Sequence, residues 1–157
     1  GEPAGGKVVG GVESMAGVLI VVPGEPIAQG RPKFSTRNGV FRAYDPPDSR
    51  DYKEYVKMLA MQWWGRKPPM EGALSLSVKV YRSVPTSWSE KRKQMAYAGQ
   101  IRPVTKPDTD NYVKGALDAL EGIVFKNDSQ VVEYRQPFGK WYSDRPRMEI
   151  EVKEIEG

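Results

Sequence analysis

Residues 73–81, Ala-Leu-Ser-Leu-Ser-Val-Lys-Val-Tyr, alternate apolar and polar side chains. In a β-strand successive side chains point to opposite faces of the sheet, so Leu74, Leu76, Val78 and Val80 fall on one face. The pattern predicts a strand with one side buried. Such a strand cannot stand alone, because its apolar row must be covered by helices or by another sheet. The rest of the chain is therefore read for what provides that cover.

Gly17 to Val22 is apolar and β-branched and is stopped by Pro23-Gly24, which predicts a buried strand. Asn38-Gly39 lies between two short β-prone runs and signals a hairpin. Pro46-Pro47-Asp48 opens a helix to about Trp64, with Tyr52, Tyr55, Val56, Leu59, Ala60 and Trp63 at helical spacing. That aromatic stripe reads as core rather than as a stacking platform. Residues 65–72 are a Pro-rich connection, and Glu90 to Ala98 is a short charged helix whose Lys91, Arg92 and Lys93 read as a solvated face.

Asp110 to Glu121 places Val113, Ala116, Leu117 and Leu120 on one helical face, with a stop at Gly122. Val131 to Gln136 and Met148 to Val152 read as closing strands joined by a hairpin loop. The order of elements predicts a single α+β domain, a mixed or mostly antiparallel sheet with helices packed on one face. Residues 1–14 are expected to be a disordered leader or vector-derived, and residues 15–157 to be the domain. The first fourteen residues carry Lys7 against Glu2 and Glu13, so the basic excess belongs to the remainder. The longest apolar run, Val18 to Val22, falls far short of the ~18 residues that span a bilayer, so no membrane association is expected.

The 157 residues include no Cys and no His. Thiolate nucleophiles, zinc ribbons, iron–sulfur clusters, disulfide scaffolds, Ser-His and Cys-His catalysis and His-ligated metals are thereby excluded. An enzyme built from this sequence must use carboxylates, Lys, Arg or Tyr, and any metal should be a hard, oxygen-ligated ion such as Mg²⁺ or Mn²⁺. A net charge of +4 points weakly to a polyanionic partner.

The densest chemical signal is Thr105-Lys106-Pro107-Asp108-Thr109-Asp110-Asn111-Tyr112-Val113-Lys114. Pro107 biases the residue before it away from the helical region, so the helix should begin just beyond, with Asp108, Thr109 or Asp110 as its cap. Asp110, Lys114 and Asp118 recur at i, i+4 and share a helix face, where an ion pair is worth only ~0.3–0.5 kcal/mol. Capping explains the carboxylates as well as chemistry does. Lys106, Lys114 and Lys126 nevertheless surround them with positive charge. Acids inside a basic field suit metal-assisted chemistry on a phosphodiester, since acids hold the cation and Lys or Arg hold the phosphate. Asn127-Asp128-Ser129, just before a strand, reads equally as a turn or as a return that brings Asp128 back toward Asp108 or Asp110.

Lys106-Pro107-Asp108-Thr109-Asp110-Asn111, Lys114, Asp118-Ala119-Leu120, Gly122 and Asn127-Asp128-Ser129-Gln130-Val131 together closely resemble the RusA-type Holliday junction resolvases, small endonucleases of bacteria and their prophages. Val22-Pro23-Gly24-Glu25-Pro26, with Arg31 and Lys33, is similar to that family's N-terminal strand and basic turn, so the resemblance covers nearly all of the chain after Met15. It implies a RusA-like fold. It also implies a homodimeric enzyme of recombination and repair that resolves four-way DNA junctions by paired symmetric nicks. Mg²⁺, with Mn²⁺ as a substitute, would be the cofactor, with no organic group. Cytoplasmic, nucleoid-associated action and a bacterial or phage gene are expected as well.

Carried over residue by residue, the three metal-holding aspartates fall on Asp108, Asp110 and Asp128, and the essential lysine on Lys114. The family often has two consecutive acids before its Ser-Gln pair, whereas here the first is Asn127, a weaker donor. Asn111, Asp118 and Asn127 are expected around the ligands rather than on the metal. Arg31, Lys33, Arg37, Arg42, Arg102, Lys106 and Lys126 are the candidates for DNA backbone contacts. Two other readings stay open: a non-catalytic DNA-binding protein with the same basic surface, and a small-molecule phosphohydrolase with a deeper apolar pocket.

Overall fold

The computed structural model describes residues 11–14, 17–30, 33–37, 40–44 and 47–155, with side chains at 17–30 and 48–155. Its elements in chain order are β1 (Gly11–Ser14), β2 (Gly17–Pro23), β3 (Lys33–Arg37), β4 (Val40–Tyr44), α1 (Pro47–Trp64), β5 (Leu74–Arg82), α2 (Glu90–Tyr97), α3 (Thr109–Leu120), β6 (Val131–Tyr134), β7 (Gly139–Tyr142) and β8 (Arg147–Glu154). A 3₁₀ turn, Asp128–Gln130, precedes β6. The fold is α+β, as the order of elements predicts. β3 and β4 pair as an antiparallel ribbon, while the Asn38-Gly39 turn between them lies outside the described residues. β1 pairs along β2, and residues 1–10 are outside the described residues.

The main sheet runs β1-β2-β8-β5-β6, with β7 also on β5. β2 and β5 both pair antiparallel to β8 in registers that align Val18, Val152 and Leu76 in one row, Ile20, Ile150 and Val78 in the next, and Val22, Met148 and Val80 in a third. These rows form one face. They are buried beneath Val56, Ala60 and Trp64 of α1 and Tyr112, Val113, Ala116, Leu117 and Leu120 of α3. The helical stripe of α1 thus ends on buried Trp64, while Trp63 is exposed. An i+4 run through Val56, Ala60 and Trp64 keeps to the sheet side, and Trp63 falls off it.

Two further expectations are corrected. The closing strands Val131–Gln136 and Met148–Val152 do not form a hairpin: β5 lies between β6 and β8, antiparallel to β8, while β6 and β7 both run parallel to β5, β6 beside Leu74–Leu76 and β7 beside Lys79–Arg82. Pro137 interrupts the ladder between them, and its carbonyl instead accepts a hydrogen bond from Ser77 Oγ at 2.6 Å.

Nor is β5 buried on one side only, since every residue from Leu74 to Tyr81 is buried. Its polar row is covered by partners that neutralise it. Arg135 donates to the Ser75 carbonyl at 2.8 Å and pairs with Glu151, while Glu149 takes Lys79 at 3.1 Å and Arg147 at 2.7 Å. Arg147 also lies over the Tyr81 ring at 4.0 Å. A buried charge is tolerated when it is paired in this way.

Burial pushes the Glu149 carboxyl up, but the hydrogen bonds and charges of Arg147 and Lys79 outweigh it and hold the group below its ordinary 4.5. A depressed carboxylate contributes stability that is full above 4.5 and is lost as pH falls through the folded-state value. Urea unfolding of wild type from neutral pH to below 4.5 should therefore show a loss of stability. In Glu149→Gln that loss should be smaller, on a baseline lowered by about 3–5 kcal/mol because two buried cations lose their shared carboxylate.

Candidate active site

α3 begins where the sequence places it, directly after Pro107. Asp108 is the N-cap residue, with extended backbone at φ −69° and ψ 152°, yet its side chain makes no capping hydrogen bond. The turn is closed by its carbonyl, which accepts from Asn111 N at 3.1 Å and from Tyr112 N at 3.4 Å. The Asp108 carboxylate is therefore not consumed by the helix end.

The loop that delivers Asp108 is held from the sheet. Arg82, at the end of β5, donates to the Thr105 carbonyl at 3.0 Å. Lys140 on β7 donates to the carbonyls of Thr105 at 3.2 Å and Pro107 at 3.0 Å. Burial and the neighbouring Arg82 cation push the Lys140 ammonium below its ordinary value, while the charge of Asp108 pulls the other way. Arg102 donates to the Lys140 carbonyl at 2.6 Å and lies over Trp141 at 4.2 Å.

At its other end α3 stops at Gly122, whose φ of 86° reverses the chain as the sequence predicts. Met70 N bonds to the Val124 carbonyl at 2.8 Å, and Lys126 N returns to the Met70 carbonyl at 3.2 Å. The 3₁₀ turn then forms a capping box: Asn127 Oδ1 accepts from Ser129 N at 2.9 Å, and Gln130 Oε1 accepts from Asn127 N at 2.7 Å. Gln130 Nε2 anchors the box by donating to the carbonyls of Met70 at 2.9 Å and Gly72 at 3.0 Å. Glu121 completes it by accepting from Asp128 N at 2.9 Å. Turn chemistry thus accounts for Asn127 and leaves the Asp128 side chain exposed.

The two ends meet along one open cleft of about 260 Å³, lined by Asp110, Val113, Lys114, Leu117, Asp128 and Tyr134. Asp110, Lys114 and Asp128 are brought to the same surface. Asp108 is not in its lining, and among the described residues no three acidic side chains gather as a metal cage. Two exposed carboxylates with a neighbouring ammonium fit a hard cation that keeps much of its water and takes only one or two protein carboxylates, which is how Mg²⁺ is usually held. Asp118 is half-buried on α3, and the Asn111 carbonyl accepts from Gln29 N at 3.2 Å.

Of the basic candidates, Lys106 is exposed two residues before Asp108, and Arg102 donates to the backbone of β7. Lys126 pairs with Glu71 on the surface and holds that carboxyl below its ordinary value. Arg31 and the side chains of Lys33, Arg37 and Arg42 lie outside the described residues. The backbone register of the β3–β4 ribbon nevertheless sets Lys33 opposite Tyr44, Ser35 opposite Arg42 and Arg37 opposite Val40.

Sequence reasoning missed three residues here: Arg82, Lys140 and Tyr134. An aromatic residue in the strand that follows Asp128 was a usable signal for Tyr134. Nothing local marked Arg82 or Lys140, which act on carbonyls far away in the chain.

A family model described as Endodeoxyribonuclease RusA matches residues 23–153. The uncharacterized protein YqaN of Bacillus subtilis (strain 168) is 45% identical over 142 residues, which cover 88% of this chain and 96% of that protein.

Gln130 is the residue on which the Asp128 turn depends. Gln130→Ala removes three hydrogen bonds and leaves the Met70 and Gly72 carbonyls without that donor. Urea unfolding should report a loss of about 1–3 kcal/mol, and amide exchange should rise at residues 127–130 before it rises in β5.

Proposed function

Since the chain belongs to the endodeoxyribonuclease RusA family, we propose that it is a Mg²⁺-dependent, structure-specific endodeoxyribonuclease. In this reading it resolves four-way (Holliday) DNA junctions by paired symmetric nicks during recombination and repair. The observation that carries the reading is the shared cleft of Asp110, Lys114 and Asp128, which joins two carboxylates and a cation on one open surface.

In this reading Asp110 and Asp128 hold Mg²⁺, or Mn²⁺ in its place, with Asp108 as the third carboxylate. Bound there, such an ion would supply an activated water and charge neutralisation at the phosphate. The chain's own groups do the rest. Lys114, one helical turn from Asp110, presents a compact ammonium to the phosphate oxygens. Arg82 and Lys140 fix the loop before α3, and with it the backbone that carries Asp108. Gln130 does the same for Asp128. In-line attack by water leaves a 5′-phosphate and a 3′-hydroxyl.

Lys106 extends the positive surface beside the cleft, with the basic β3–β4 ribbon, Arg31, Arg102 and Lys126 as further phosphate contacts. A four-way junction has two-fold symmetry and needs two like-polarity nicks, so the acting species is a homodimer with one cleft per subunit. Its place of action is the bacterial cytoplasm, on nucleoid or phage DNA.

A labelled four-way junction and a linear duplex, each incubated with and without Mg²⁺, test the reading. Wild type should nick the junction in Mg²⁺ only. Asp110→Asn and Asp128→Asn should each slow nicking more than about 100-fold, beyond the range for residues that merely support a ligand, while still binding the junction. An Asp110→Asn protein that cuts at the wild-type rate would remove the assignment. Junction affinity should also fall by several powers of ten between roughly 50 and 200 mM salt if six or more phosphates are contacted. A nearly flat salt response would exclude the electrostatic footprint.

A further inference from the structure

Tyr134 is the one aromatic residue lining the cleft, and neither a metal nor a phosphate uses its ring. It ends β6 and pairs in register with Leu76, whose side chain is buried under the helices, so Tyr134 stands on the face of the sheet that carries α3. There it lines the cleft with Asp110, Lys114 and Asp128. Its ring is stacked on Phe138 with centroids 4.8 Å apart and planes at 15°, and Phe138 is itself packed against the core. One face of the tyrosine thus rests on an anchored ring, yet Tyr134 remains 59% exposed.

Leaving a large ring in water at the lip of a charged cleft wastes apolar burial unless something covers it. The lining of the cleft combines two chemically different parts, carboxylates with an ammonium and a braced aromatic plane. A nucleotide has the same two parts, a phosphate and a flat base. Stacking needs no particular base, which suits an enzyme that reads the shape of its substrate.

Resting on the nuclease reading above, we propose that Tyr134, braced by Phe138, is a stacking platform for a nucleobase of the junction next to the phosphate engaged by Asp110, Lys114 and Asp128. The ring positions the strand. It takes no part in the bond-breaking step. Val132, 62% exposed on the same strand, adds apolar surface nearby, and a second copy of the chain is the competing occupant of this edge.

The test uses the full chain and four-way junctions that carry single 2-aminopurine substitutions through the crossover, without divalent metal so that strands stay intact. Wild type should change the fluorescence at one or a few positions. Tyr134→Leu, which keeps apolar bulk but lacks a planar ring, should lose that change and bind the junction roughly tenfold more weakly, within the range that base–aromatic stacking supplies. Tyr134→Phe and Tyr134→Trp should retain both. Circular dichroism checks that each variant is folded, and sedimentation checks its assembly.

The stacking proposal is overturned if wild type nicks junctions but Tyr134→Leu matches it in signal and affinity, or if no 2-aminopurine position responds. It is also overturned if Tyr134→Leu sediments as a smaller species than wild type, since the ring would then be a subunit contact. A wild type that neither binds nor nicks junctions defeats the nuclease reading itself, and the stacking proposal with it.

Discussion

Strand β5 keeps all its side chains from Leu74 to Tyr81 out of water, and its two faces meet opposite environments. Leu74, Leu76, Val78 and Val80 enter the apolar core, while Lys79 meets Glu149 and Tyr81 meets Arg147 on the other side. A slip of one residue would move Lys79 into the apolar core and a valine against Glu149. Leaving such a charge buried and unpaired costs about 3–5 kcal/mol, more than any plausible gain in apolar contact nearby. Register is therefore specified from both faces at once. β6, β7 and β8 all take their positions from this strand, and with them the turn that carries Asp128.

Around the cleft, the polar groups divide by what they bond to. Asn127, Gln130, Arg82 and Lys140 are spent on backbone atoms, which makes loops on both ends of α3 rigid. Asp108 holds the cap position but leaves its carboxylate out of the capping bond, and Asp110 and Asp128 are exposed. A helix end that needed all its acids for capping would use them. Here the carbonyl of Asp108 closes the first turn, and the carboxylates are left available for a ligand.

The same division shapes the electrostatics. Lys140 sits close enough to Asp108 to feel its charge, and Lys106 is exposed two residues before it. Lys126 is held by Glu71 in an exposed ion pair. Exposed pairs are weak and readily exchanged, so this one does little to withhold Lys126 from a phosphate. Asp110 and Asp128 share their cleft with Lys114, and Asp108 acts on Lys140, local pairings of acid and base that a net charge of +4 does not reveal.

Much of this was legible from neighbours in the chain. Alternation marks β5, the i, i+3 and i+4 spacing of Val113, Ala116, Leu117 and Leu120 marks α3, and Gly122 marks its end, because each depends on a period or a φ angle that a few consecutive residues set. The alignment of Asp110 with Lys114 follows from that helix alone. Membership in the endodeoxyribonuclease RusA family was readable too, since it is carried by short runs on α3 and before β6. The buried polar side of β5, the strand β7, the parallel flank it forms with β6 and the burial of Trp64 in place of Trp63 were not legible. Neither was the arrival of Tyr134 beside Asp110. Ser77 meets Pro137 and Gln130 meets Met70 across sixty positions of sequence. Contacts of that span are chosen by what else must be buried or paired, and only the folded chain brings those competitors together.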